Sequence, residues 1–240
     1  MSDTADEFNT IGEAWRQERE RSAKAIDTSR LPARVQARLQ DAFTGANQRA
    51  QLAHQRAQGL KAAMTVMLRR AIEPRIGNNE RIQRFWRLAD TWNKSFESVS
   101  ACKRGCNHCC HQSVAIPRSE AVAIAIATGK TLDPEGKNAI VPALSIAGLE
   151  QTQAKHKGAA CPMLVDGACS IYAHRPMACR QLINLDIDSL LCEIIPDESV
   201  PVPYADSTQI DLAFAAHMGH EAWQDIRDWF PMEPTDKRPA

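Results

Sequence analysis

The stretch that most constrains this chain is Cys102-Lys103-Arg104-Gly105-Cys106-Asn107-His108-Cys109-Cys110, answered downstream by Cys161, Cys169 and Cys179. Seven of the eight cysteines fall in these two segments, and Cys192 lies just beyond. Thiolates at gaps of two and three residues can converge on one soft cation, because a short turn brings them within a metal's reach without straining the backbone. Gly105 permits a tight turn between Cys102 and Cys106, in a conformation that a β-carbon would penalise. A metal site is therefore the first reading, and what the metal does is a separate question.

A chain of 240 residues buries a core without covalent cross-links, so stability does not call for disulfides. Residues 1–20 carry no apolar run of the signal-peptide kind, and no later segment is apolar for long enough to span a bilayer. We expect a soluble cytoplasmic protein, with no membrane partner. In a reducing compartment, closely spaced cysteines serve as metal ligands or redox groups more readily than as a disulfide framework. The even count of eight keeps disulfides as the competing reading. Formal charge is zero, yet residues 1–100 hold 17 Lys/Arg against 12 Asp/Glu, and residues 180–240 hold 4 against 12. The basic residues are scattered among acids and Gln as on solvated helix faces. No nucleic-acid motif accompanies them, so nucleic acid is not an expected partner.

The expected fold is mostly α, a helical body around a cysteine-cluster domain with one small β-hairpin. A short helix is expected over 11–26. Pro32 then suits a first helical turn, where its missing N–H would be unpaired anyway. From it a long helix should run to about Glu73, along which Leu39, Phe43, Ala46, Ala50, Ala53, Ala57, Leu60, Met64, Met67 and Ala71 form a heptad seam. So much alanine favours close packing within the chain; a protein partner on these N-terminal helices is the alternative. Asn78 or Asn79 is placed to cap the next helix, whose stripe of Ile82, Phe85, Trp86, Ala89, Trp92 and Phe96 leads into Cys102.

Beyond the first cysteines, Pro117-Arg118-Ser119-Glu120 starts a helix and Gly129 ends it, with a strand competing over the same alternating residues. Residues 133–157 are expected to be helical with a break at Pro142. Asp166-Gly167 marks a hairpin within 161–172 in which Leu164 faces Cys169. That register sets Cys161 and Cys169 on opposite faces unless Pro162 disrupts the ladder. Pro176 opens a helix through Cys179 to about Leu185, and Asp206 or Ser207 caps a last amphipathic helix over 207–230. The chain thus divides into an N-terminal helical region (1–97), a cysteine-cluster metal-binding domain (98–193), and a Pro-rich connection with a C-terminal helix (194–240).

Thiolates on zinc or on an iron–sulfur cluster leave net negative charge, so backbone N–H groups and the nearby cations Lys103, Arg104, Arg175 and Arg180 should stabilise the site. Neighbouring side chains point to different sides in a strand or a helix, so one tetrahedral ion rarely takes both Cys109 and Cys110. Seven thiols with that adjacency suggest a polynuclear site, or one site with a spare redox thiol. His108, His111 and His174 can complete a coordination sphere or serve as ordinary polar residues.

Cys-x3-Cys-x2-Cys-Cys at 102–110, then Cys161-Pro162-x-Leu164 and Cys169-x-Ile171-Tyr172-x-x-Arg175-Pro176-x-x-Cys179-Arg180, resembles the YkgJ-type cysteine-cluster family of zinc- or iron-chelating domains over about 98–182. The resemblance implies metal binding through Cys102, Cys106, Cys109, Cys110, Cys161, Cys169 and Cys179, with zinc, iron or an iron–sulfur cluster as cofactor. It implies nothing for residues 1–97 or for Cys192. The gap of three after Cys102 departs from the usual two.

Two rival readings use the same cysteines. Cys102, Cys106 and Cys109 have the spacing with which radical S-adenosylmethionine enzymes hold a cluster, but the β/α barrel that carries it there has no counterpart in this pattern of helices. An iron–sulfur redox or modification enzyme of another design remains open. The plainest reading is a zinc site that pins loops onto a helical interaction protein, which explains four cysteines more readily than seven. Elsewhere, Gly129-Lys130-Thr131 lacks the first glycine of a phosphate loop, and Asp186 and Asp188 lack the rest of a calcium loop. His217, His220 and Glu221 share one face of the expected last helix, and a solvated polar face accounts for them better than a metal does.

Overall fold

The structure, a computed structural model, describes residues 25–103, 105–133 and 158–231, together with Thr10, residues 12–14, 16 and 17, Arg21 and His156. The helix expected over 133–157 falls almost wholly outside these residues; of that expected over 11–26 half is described, and residues 12–14, 16, 17 and 21 are helical. The protein is mostly α, with two small two-stranded sheets among the described residues. Among the described residues no helix is long and apolar enough to cross a membrane.

Helix α1, Ala33–Ala71, follows Pro32 as the sequence requires and is about 58 Å long at 1.5 Å per residue. Ala46, Ala53 and Ala71 of the seam are buried, and Ala50, Met64 and Met67 pack against the same core. Their small side chains let α2, Asn78–Asn93, lie close along α1. Arg81 of α2 is buried and donates to the carbonyl of Ala71, which the end of α1 leaves without a helical partner, and to those of Glu73 and Ile76 in the turn that follows. The opposite half of α1 holds the segment after the cysteines. Arg38 pairs with Asp186 at 3.0 Å and Asp188 at 2.9 Å, and Arg49 donates to the Leu185 carbonyl.

Strand β1, Ala115–Pro117, runs directly into α3, Arg118–Thr128, which Gly129 closes at φ +68°. The helix rather than the competing strand forms over 118–128. Hairpin β2–β3, Leu164–Val165 and Ala168–Cys169, turns on Asp166 and Gly167 at positive φ with Leu164 opposite Cys169. Cys161 lies outside this short ladder, in the turn where Leu164 N–H bonds the Cys161 carbonyl. Pro162 thus ends the pairing, and the opposite-face argument does not apply. Helix α4, Met177–Gln181, is shorter than expected, because at 184 the chain goes over to a bridge with Tyr204.

Three other expectations need correction. The last helix does not span 207–230: α5 is Thr208–Met218, strand β4 is Trp223–Asp225, and α6 is Ile226–Trp229. The break has two causes. Trp223 Nε1 takes the Met218 carbonyl, and Glu221 is drawn to the free first turn of α3, where its carboxylate accepts from Ser119 N–H at 2.8 Å. His217, His220 and Glu221 therefore do not share a helix face. Strand β4 pairs antiparallel with β1, a second sheet beside the hairpin, with Ile116 opposite Gln224. Asn78 does not cap α2; it is the first helical residue and donates to Ser119 and Glu221.

Candidate metal centre

The two cysteine segments lie side by side. Cys161 N–H donates to the Cys110 carbonyl at 2.7 Å, and Gly158 N–H to that of His111 at 3.0 Å. Arg227 of α6 clasps them from outside. Its guanidinium donates to the carbonyls of Cys110 (3.1 Å), Gln112 (3.0 Å), Ala159 (2.6 Å) and Ala160 (3.3 Å), and pairs with the wholly buried Asp225 at 2.9 Å. Asp225 also accepts from Val114 N–H at 2.7 Å, which ties this clasp to the β1–β4 sheet.

The third segment is held from the helical side. Arg180 donates to the Ala173 and Arg175 carbonyls, pairs with Asp90 of α2, and lies 5.3 Å from the centroid of Trp86. Glu120 of α3 is buried and accepts from Trp86 Nε1 and Met177 N–H, both at 2.8 Å. Burial pushes its pKa up to about 7 against the pull of those donors.

All eight cysteines are free thiols, so the disulfide reading falls. Their sulfurs are met by N–H groups in a recurring way. Cys106 accepts from the backbone of His108, Cys161 from that of Met163, and Cys169 from that of Ile171, each donor lying two residues after its cysteine. Gly105, at φ +90°, turns the chain just before Cys106 in a conformation that a β-carbon would penalise. Cys102 accepts from Asn184 N–H at 3.4 Å. Cys192 accepts from Asn184 Nδ2 at 3.3 Å and is hydrogen-bonded to the Tyr204 hydroxyl. Donors aimed at sulfur in this manner stabilise thiolate charge.

The thiols influence one another in two groups that share Cys109. Cys102 and Cys106 act on Cys192, while Cys109, Cys161 and Cys169 act on both Cys110 and Cys179. Burial first, and the neighbouring thiols after it, hold Cys179 well above the ordinary thiol range and push Cys192 up to about 12. Burial also pushes Cys161 up to about 11, opposed by Met163 N–H and by Arg227. Cys109 goes the other way, to about 7, because the Cys110 thiol donates to it and Arg175 adds positive charge. That contact corrects the expectation for Cys109 and Cys110. They sit in a 3-10 turn, His108–His111, and their side chains meet instead of diverging.

Of the predicted cations, Arg175 and Arg180 act on Cys169, Lys103 is exposed, and Arg104 lies outside the described residues. His111 Nδ1 lies 3.4 Å from the Gly158 carbonyl, and His174 stacks by Trp86, 6.1 Å between centroids. Among the described residues no three His, Cys, Asp or Glu side chains are already drawn to one point. The donor set suits a soft metal, and the thiols form a neighbourhood that an ion would have to gather. Sequence reasoning left out Cys192, whose only signal was its being the eighth cysteine. It also missed Asn184 and the Asp225–Arg227 clasp, which carried none.

Fold and site together define a mostly helical protein built around a cysteine cluster. A family model described as "CxxCxxCC: Putative zinc- or iron-chelating domain" matches residues 101–194, which take in all eight cysteines. That segment is similar to zinc- or iron-chelating domains, which supports metal binding by it. No curated protein and no solved structure matches the chain.

Proposed function

We propose that the protein binds zinc or iron through Cys102, Cys106, Cys109, Cys110, Cys161, Cys169 and Cys179, with Cys192 as an eighth thiol, in a polynuclear centre that forms in a reducing, cytoplasmic setting. The observation that carries this reading is the set of N–H donors two residues after Cys106, Cys161 and Cys169, in two segments bonded to each other. Backbone dipoles aimed at three sulfurs are of little use to neutral thiols and of much use to metal-bound thiolates. Eight free thiols are more than one four-coordinate zinc takes up, which favours more than one metal over a single structural zinc. Bound there, the metal would supply a soft Lewis-acidic or, as iron, a redox-active centre. The chain's part is to orient the sulfurs and to offset their charge.

The test is anaerobic purification followed by measurement of metal and acid-labile sulfide per chain and an absorption spectrum. Iron with sulfide and a broad visible band selects an iron–sulfur cluster. Colourless protein with more than one zinc per chain selects a polynuclear zinc–thiolate site. Cys109→Ser should lower the metal content more than Cys192→Ser, since Cys109 serves both groups. Protein that holds neither metal overturns the proposal.

A further inference from the structure

A cleft of about 370 Å³ opens where the end of α2 faces the segment 172–183, and both Cys102 and Cys179 line it. It therefore touches one thiol from each of the two groups. Two polar side chains in its wall each keep one atom without a hydrogen-bond partner. The Arg175 guanidinium lies over the Tyr172 ring, 4.1 Å from its centroid, and no carboxylate among the described residues is paired with it. Its Nε is buried and has no acceptor. Asn93 Oδ1 is buried in the same wall and has no donor. Arg180, also in the wall, is fully engaged by Asp90 and the two carbonyls described above. The remaining wall is mixed: Phe96, Tyr172, Leu182 and Ile183 are its apolar part, and Glu97 and Ser100 add polar groups on the side of the wall that follows α2.

Each loose end specifies part of a ligand. A guanidinium stacked on an aromatic ring with a free Nε edge suits a carboxylate, which it grips through two parallel N–H bonds. A buried amide oxygen asks for an O–H or N–H on the same molecule. A volume of this size, apolar along part of its wall, suits a small organic molecule. From these residues we infer that the cleft binds a small hydroxy- or amino-carboxylate, its acid group on Arg175 and its donor on Asn93, lying against Cys102 and Cys179. Lys94, exposed in the same wall, adds positive potential that offsets Glu97 beside it. The role of such a molecule as a substrate or exogenous ligand of the cysteine centre rests on the metal reading above, whereas its binding does not.

The probes are 3-phenyllactate, 3-phenylpropionate, which lacks the hydroxyl, and 3-phenyllactamide, which lacks the charge. The readout is the ¹⁵N–¹H signal of Arg175 Nε, assigned by its loss in Arg175→Lys, at ionic strength held constant with chloride. Phenyllactate should move this signal saturably and leave that of Arg34 in place. Phenylpropionate should bind about tenfold more weakly, and the amide should not bind. Arg175→Lys should weaken phenyllactate at least tenfold, and Asn93→Ala should bring it down to the level of phenylpropionate. No saturable shift, equal shifts at exposed arginines, or equal response to acid and amide overturns the inference. Titrating the protein both as purified and after chelation separates the two claims. Absence of metal defeats the centre without touching the cleft, and a silent Arg175 in metal-loaded protein does the reverse.

Discussion

Replacing Arg227 by methionine keeps the apolar stem and removes a guanidinium that is 8% exposed. Asp225, at 0% exposure, then keeps only the N–H groups of Val114 and of residue 227 itself. Removing one member of a buried pair costs about 3–5 kcal/mol. The orphaned carbonyls add less, because Ala159 and Ala160 are exposed and turn to water. For a chain of this size each kcal/mol lowers Tm by roughly 2–4 °C, so the variant should melt about 6–20 °C below the wild type. Asp225→Asn/Arg227→Met takes away the stranded charge while leaving an acceptor for Val114 N–H, and should regain at least about 1 kcal/mol over Arg227→Met alone. Urea unfolding of metal-depleted protein, followed by circular dichroism, measures both. Zinc affinity should fall by roughly tenfold or more in the single variant, because the clasp holds the two cysteine segments together before the ion arrives. A loss of stability under about 1 kcal/mol, or a double variant no better than the single, would refute the clasp.

Glu120 titrates at about 7 in the folded protein against 4.5 for an ordinary glutamate, so the unfolded chain gives up its proton first as pH rises. Its contribution to stability is present below pH 4.5 and is lost by pH 7, a change of about 3 kcal/mol, and Glu120→Gln should flatten that part of the stability–pH curve. An unchanged slope in urea titrations across this range counts against the buried carboxyl. Gly59 is an exposed interior residue of α1 with nothing within 4 Å of an added Cβ, so Gly59→Ala should raise stability by about 1 kcal/mol in a denaturant melt. Thiols held protonated at neutral pH, Cys161 and Cys192 among them, must release protons when a metal takes them. Metal affinity should therefore rise with pH, and calorimetric enthalpies should differ between buffers of different ionisation heat. Equal heats in all buffers would mean that these thiols are not ligands.

Local chemistry was legible in the sequence and long-range pairing was not. Asp166-Gly167 demands positive φ at two successive residues, which dictates the hairpin and the facing of Leu164 and Cys169. Pro32 and Gly129 mark helix ends for equally local reasons. The cysteine spacing announced a metal site because ligation is itself a short-range constraint. Strands β1 and β4 are three residues each, too short to show a period, and they pair across more than a hundred residues of chain. Glu221 was read as part of a helix face because nothing in its neighbours reveals that the first turn of α3 lies beside it. Arg227 likewise carries no local signal, since nothing in its neighbours tells it from an exposed charge. Only the fold brings it to the backbone of Cys110.

That placement has a bearing on synthesis. Every cysteine leaves the ribosome before Arg227 does, and an N-terminal portion of a chain settles first as it is made. Loops that carry thiols thus emerge unclasped. The two cysteine segments are drawn together only once that single, late arginine has been made.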